Sequence, residues 1–575
     1  MSSPGQDHTS RAGTASLANG PPKPPLQQMT IGEILKSQSR QYPNQIAVIA
    51  PYTSTRLTYR DLDLRTTLLA QALLAAGISG GDHIGILAGN TVEFVEVFLA
   101  TARIGAVAVL LNTFWTPYEV ENALRFTECS MLFIGIGLAS QSPFSYVDHL
   151  IDVKSAQING GLPLLKEIVL LSGKSPSSRP VPAVKSYEDF LQSASSTRLA
   201  TLDDAERDVQ PTSLCNFQFT SGTTGLYLLS NIVNNGYLTG HRIRMSREDV
   251  MCCVSPLFHV GGLSMGLMGC LTHAATIVFP WPTFDPTATL NVLHSEKCTG
   301  MHGVSLMFAE VLAACRKCGG SIRPQLRTGT IGGSQASPAL LSELYAEFGL
   351  KELGLGYGMT ETSPLSYLTT DARMHKDGWL DIMPHTRAKI INPQRETVPV
   401  GTAGEICIAG YLVHQGYYCN AEKTREAMQV HEEDGLLWMH TGDQAVMNET
   451  GQCRITGRLK EIIIRGGVNI YPDEIEARLQ EHPAISLAAV VGVRDGKYGE
   501  VVAAFLSVDE EKGLERPTAE EIRIWVQLTL AEYKTPAWVF YLGIGGVPDE
   551  FPKTASGKIR KTELVAIADR LTQER

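Results

Sequence analysis

Thr220-Ser221-Gly222-Thr223-Thr224-Gly225 concentrates hydroxyl and glycine residues in a way that suits a loop of backbone N–H and hydroxyl donors around nucleotide phosphates. No Gly-Lys-Ser/Thr closes the run, so it is not a Walker loop, and a solvated turn is its plainer reading. Tyr357-Gly358-Met359-Thr360-Glu361-Thr362 offers an aromatic face, a hydroxyl and a carboxylate, enough to stack a base, touch an α-phosphate and hold Mg²⁺. Thr441-Gly442-Asp443 sets a carboxylate after a tight turn, able to accept both hydroxyls of a ribose, and Arg458 can donate to the same sugar. Lys558, on a glycine-containing loop near the C-terminus, is a mobile cation able to neutralise a carboxylate approaching phosphorus. Taken singly, these pieces also read as turns, surface ion pairs and a solvated basic tail. Two other signals point elsewhere: Gly262-Leu263-Ser264-Met265-Gly266 matches a hydrolase nucleophile elbow, and Cys315-Arg316-Lys317-Cys318 has the spacing of a redox or metal pair inside a helical pattern.

The elements that must position these residues follow from periodicity. Helical patterns over 59–76 and 91–104 alternate with short apolar runs at 83–87, 107–111 and 131–134, which predicts βαβ units, largely parallel sheets and an α/β fold. From 388 to 408 the pattern changes to short strands around turns, predicting a small antiparallel β-barrel or sheet. A chain of 575 residues exceeds one core, so we expect a disordered Ser/Gly/Pro-rich leader over 1–28, a large N-terminal domain over 29–458 and a smaller α+β lid over 459–575. A net charge of −10 argues against nucleic acid as a partner. The 11 cysteines fit reduced thiols in an intracellular, cytoplasmic protein, and we expect no transmembrane helix over the uncharged run 261–279.

Together and in this order the motifs resemble the adenylate-forming superfamily of AMP-binding acyl-CoA synthetases, aryl-CoA ligases, luciferases and peptide-synthetase adenylation domains, and among them fungal-type medium-chain acyl-CoA ligases. Leu57-Thr58-Tyr59-Arg60-Asp61, Ser255-Pro256-Leu257-Phe258-His259, Gly404-Glu405, Gly416-Tyr417 and the Arg465 to Pro472 run belong to the same resemblance, which covers nearly the whole chain from Ile31. It implies ATP, Mg²⁺ and CoA as cofactors and a small carboxylic acid as substrate. It further implies that Gly332, Gly333 and Ser334 line the adenine and acyl pocket and that Tyr357 and Gly358 meet adenine. Thr360 would bind the α-phosphate and Glu361 the magnesium, while Asp443 and Arg458 would hold the ribose. Lys460 would be the hinge, Lys558 the adenylation lysine, and Arg465, Gly466 and Gly467 the CoA face after the lid turns.

One departure bears on activity. The family's loop continues after its last glycine with Pro-Lys and several more residues, whereas here Gly225 runs directly into Leu226-Tyr227-Leu228-Leu229-Ser230, about five residues shorter. Pyrophosphate contact is thereby put in question, and a binding-only pseudoenzyme is one alternative. His259 stands where amino-acid-activating relatives carry an Asp that pairs with the substrate ammonium, which favours an acid without an α-amino group. Gly261 and Gly262 beside it leave room for an aliphatic tail of short to medium length, and the resemblance places Gly333 in the same acyl pocket. No carrier-protein segment follows the lid, which favours free CoA over a carrier as the acceptor.

Overall fold

The computed structural model describes residues 15–573 except 139–141, 153–156, 159–160, 172–180, 198, 221–222, 320–321, 334–335, 375–376, 460, 466–467, 510–513, 531 and 555–556. The expected helices appear as Tyr59–Ala75 and Val92–Arg103, and the expected strands as His83–Leu87, Val107–Leu110 and Met131–Ile134. The Leu57 to Asp61 motif is a helix start: Thr58 Oγ1 accepts from the Asp61 N–H at 3.1 Å, and Asp61 Oδ2 accepts from the Thr58 N–H at 3.0 Å.

Two mostly parallel sheets are present, of seven and eight strands. Their inner faces share one apolar cluster in which Ile84 and Ile86 of the first sheet and Val48, Met251 and Ile277 of the second meet the helices between them. The Val92–Arg103 helix is buried at every residue except Glu93, including two charged groups. Arg103 is tolerated there because its Nε donates to Glu206 at 2.6 Å and its guanidinium reaches Asp63 at 3.0 Å. In the eight-stranded sheet, Gly300–Val304, Thr328–Gly332 and Gly354–Gly358 run parallel side by side, so their C-terminal ends open at one edge.

A six-stranded antiparallel sheet stands where the small barrel is expected, and a five-stranded sheet is built from strands between 463 and 541. Residues 15–28 correct the expectation of a disordered leader. Leu17–Asn19 adds a strand to the antiparallel sheet, pairing with Lys389, Ala388 and Arg387, and Gln27 exchanges hydrogen bonds with the Asn234 side chain. The segment earns its order by filling an open sheet edge, where its backbone finds partners that composition does not reveal. The hydrolase elbow is overturned too: Ser264 lies inside a wide helical turn, Gly261–Met268, fully buried, and donates to the Ile232 carbonyl at 2.9 Å. A nucleophile needs an exposed hydroxyl on a strand-to-helix turn.

His302 and His414, each 1% exposed, are pushed down to about 4 by burial. Both stay neutral in the folded chain, so as pH falls below about 6.5 the unfolded chain takes up protons that the folded one refuses. We therefore expect stability to be complete above pH 6.5 and to decline toward pH 4, each histidine contributing roughly 1.4 kcal/mol per pH unit. Urea midpoints measured from pH 7 to pH 5 should fall less steeply in His414→Gln than in the parent. Identical slopes would remove this histidine from the account.

Candidate active site

The three parallel strands deliver Val304, Gly332-Gly333 and Tyr357-Gly358 to the same sheet edge, and the single turn Thr360–Thr362 follows at once. Close packing explains the glycine at 358, where an added Cβ would lie 1.8 Å from the Pro364 carbonyl oxygen. Gly333 has φ +75° and faces Val304, whose Cγ1 would be 3.3 Å from an added Cβ.

The antiparallel sheet supplies the facing wall. Asp443 and Arg458 are cross-strand partners, and the Asp443 carboxylate accepts from the Tyr357 hydroxyl at 2.7 Å and forms an ion pair with Arg458 Nε at 3.2 Å. Burial nevertheless raises the Asp443 pKa, with Arg458 and Tyr357 opposing the rise. Glu361 is also buried and raised by burial, its Oε1 accepting from the Tyr417 hydroxyl at 2.9 Å. Thr360 is fixed through its carbonyl, which accepts from the Tyr227 hydroxyl at 2.7 Å.

The lid closes the third side. Gly557, at φ +81°, lies against Leu306 and Val304, 3.6 and 3.7 Å from the position of an added Cβ. The next residue, Lys558, is exposed by area, yet the cleft walls desolvate its ammonium and lower its pKa, with Arg458 pushing the same way and Glu461 and Asp443 opposing. The fold thus brings Lys558, Asp443 and Arg458 into electrostatic contact. Arg465 points elsewhere in this arrangement: its guanidinium donates to the Tyr533 carbonyl at 2.9 Å and lies 4.6 Å over the Tyr498 ring. Lys460, Gly466, Gly467, Ser334, Ser221 and Gly222 lie outside the described residues, as do the side chains of Thr220, Thr223 and Thr224.

On the other side of the sheet edge, His259 Nδ1 accepts the Gly261 N–H at 3.2 Å, and burial pushes its pKa down to about 4. The proton of this neutral ring is therefore on Nε2, a donor without charge. Met265 links this turn to the parallel strands: its Cε is 3.5 Å from a Cβ added at Gly261, and its Sδ is 3.8 Å from Thr330 Oγ1, two residues before Gly332.

Paired strands flank the expected phosphate loop. Leu214–Thr220 and Thr223–Leu228 form an antiparallel hairpin in which Thr220 pairs with Thr223, Phe219 with Thr224 and Gln218 with Gly225. A helix begins at Leu229, and only three residues lie between it and Gly225. Opposite this strand, Asn216 and Gln218 bury side-chain amides that find no hydrogen-bond partner among the described residues.

Residues 35–418 match the model of the AMP-binding enzyme family, and residues 474–558 match that of the AMP-binding enzyme C-terminal domain. This chain belongs to the AMP-binding enzyme family. Acyl-CoA ligase sidI of Aspergillus fumigatus is 41% identical over 570 residues, 97% of this chain and 94% of that relative. A mitochondrial medium-chain acyl-CoA ligase of Danio rerio is 33% identical over 567 residues, 96% of this chain and 90% of the relative. Among solved structures, ATP-bound MatB from Rhodopseudomonas palustris shares the fold with a TM-score of 0.76 at 23% identity, over 94% of this chain and 99% of that one. A benzoate CoA ligase from Burkholderia xenovorans gives 0.77 at 22%, over 93% and 100%. This AMP-binding enzyme is an acyl-CoA ligase: it activates a carboxylic acid with ATP as the acyl-adenylate and passes the acyl group to CoA. No helix among its described residues is long and apolar enough to cross a membrane.

Several contributors escaped the motif reading because no spacing announces them. Tyr227 reaches Thr360 across 133 positions of sequence, and Tyr417 reaches Glu361 across 56. Glu405 holds the Thr441-Gly442-Asp443 turn: its Oε1 accepts from the Gly442 N–H and its Oε2 from His440 Nδ1, both at 3.0 Å. His440 Nε2 lies 3.0 Å from His431 Nε2, so a three-residue chain braces the turn. We expect Glu405→Ala to raise the KM for ATP about tenfold, the worth of a hydrogen bond to a charged group, and to leave the KM for the acid within about twofold. Glu405→Gln should recover part of the loss; equal rises for both substrates would mean general disruption instead.

Proposed function

We propose that the acid is aliphatic, of short to medium chain, and carries no α-amino group. The observation that carries this reading is the neutral His259, which offers an Nε2–H and no anion to an ammonium. The medium-chain activity named for the Danio rerio relative supports the same class.

The residue roles follow from the cleft. Tyr357 stacks on adenine with Gly332, Gly333, Ser334 and Gly358 beside it, and Asp443 and Arg458 hold the ribose next to the Tyr357 hydroxyl. Thr360 meets the α-phosphate. Glu361 suits Mg²⁺, since it is a buried carboxylate whose pKa burial raises, and a hard cation offsets that cost while screening phosphate charge. Lys558 supplies the second positive charge as one anion attacks another, and its desolvated ammonium is pre-set to favour an anionic neighbour. Rotation about Lys460 then withdraws Lys558 and presents Arg465, Gly466 and Gly467 to CoA. A boundary near 458 is supported by the five-stranded sheet, whose strands all follow Ile463, and a reducing, cytoplasmic setting by eleven free cysteines.

A panel of straight-chain, branched, aromatic and α-amino acids, assayed with ATP and CoA for pyrophosphate release and thioester, tests the substrate class. Turnover confined to α-amino acids would sink it. For the roles, Lys558→Ala should slow adenylate formation about 100-fold or more and leave thioester formation from supplied acyl-adenylate within about threefold. A change at Gly467 should do the reverse. Equal loss of both half-reactions in Lys558→Ala would refute that division.

A further inference from the structure

Among the described residues the cleft offers groups suited to an adenylate, while the run after Gly225 lacks the Pro-Lys segment that would reach the outer phosphates. Asp443 is hydrogen-bonded by Tyr357 and ion-paired with Arg458, beside Glu361 and the Lys558 loop. Thr223–Leu228, the described strand that follows the tip of the segment meant to cradle the outer phosphates, is paired in a sheet. Gly225 is paired with Gln218 on one side and bridged to Tyr417 on the other. The Leu226 N–H donates to the Gly416 carbonyl at 3.0 Å, its carbonyl accepts from the Gln415 N–H at 2.9 Å, and the Leu228 N–H donates to Asn231 Oδ1 at 2.8 Å. Anion binding by a glycine-rich segment needs N–H groups that converge and are free; a ladder strand alternates them and commits them to carbonyls. Freeing them means breaking pairs that also seat Tyr227 against Thr360 and Tyr417 against Glu361.

We propose that this chain transfers acyl groups from a supplied acyl-adenylate to CoA faster than it makes the adenylate from ATP. The inference rests on the ligase reading above. In the favoured step the CoA thiolate attacks the acyl carbonyl, a C–S bond forms, the bond from carbon to the phosphate oxygen breaks, AMP leaves with the electron pair, and the thiol proton goes to solvent. The reaction class that feeds such a chain is acid adenylation by a second enzyme that releases its product.

Two measurements on the full chain decide the matter. In single-turnover assays, thioester formation from butyryl- or octanoyl-adenylate with CoA should exceed adenylate formation from ATP and the same acid by about ten- to a hundredfold, the value of a lost charge-assisted phosphate contact. AMP and ATP should bind with affinities within about threefold of each other, since the Leu226 and Leu228 N–H groups are committed elsewhere and no Pro-Lys segment follows Gly225. A variant with five residues including Pro-Lys inserted after Leu226 should raise the ratio of adenylation to transfer about ten- to a hundredfold; should it fail to fold, the AMP and ATP affinities of the unmodified chain decide. Adenylation as fast as transfer, ATP bound more than tenfold tighter than AMP, or no transfer from the supplied adenylate would each overturn the proposal. Failure of the ligase reading looks different: the lengthened variant would then also turn over no acid, or only α-amino acids.

Discussion

Asp443 and Glu361 put two carboxyl groups into one buried corner of a cleft that has to receive phosphates; burial raises the pKa of both, and Asp443 adds to the rise at Glu361. Two desolvated like charges near one another are among the costlier arrangements available to a fold. Much of the surrounding structure is a response to that cost. Arg458 and the Tyr357 hydroxyl close on Asp443, the Tyr417 hydroxyl closes on Glu361, and the Lys558 ammonium is drawn toward the same corner from the lid. The polarity that makes the corner expensive when empty also makes it receptive to a cation and a sugar.

The three sheets divide this task by geometry. Parallel strands expose their C-terminal ends together, so Gly332, Gly333 and Tyr357 arrive at one edge without any one of them specifying the others. Antiparallel strands place residues opposite one another, and that register makes Asp443 and Arg458 a pair. The turn carrying Asp443 is then held from behind by Glu405, whose second oxygen is tied to His440 and through it to His431. Error in the ribose carboxylate is thus limited by a network anchored on two neighbouring strands.

The same sheet logic works against the Thr220 to Gly225 run. Threonines and a short connection favour extended structure, and Thr223–Leu228 pairs with Leu214–Thr220 on one side while Gly225 bridges Tyr417 on the other. Composition favours a phosphate loop here, while chain length favours a hairpin. Length prevails because a helix must begin at Leu229 and its N-terminus is already tied to Asn231.

Local patterns were enough for the elements and for most of the cleft's cast. Alternation of apolar runs with helical periods marked Tyr59–Ala75, Val92–Arg103 and the strands around them, because periodicity is a local consequence of which face is buried. Tyr357, Glu361, Asp443, Arg458 and Lys558 were legible because their chemistry is carried by short runs of defined order. What the sequence could not determine was every feature that depends on a partner distant in the chain. Residues 15–28 read as disordered until a sheet edge was there to pair with them, and Ser264 read as a nucleophile until its burial was known. Tyr227, Tyr417 and Glu405 acquired roles only when the sheets met. The neutral state of His259 and the pairing of Gly225 on both sides were likewise tertiary decisions, since desolvation and backbone pairing are set by what surrounds a residue and not by what precedes it in the chain.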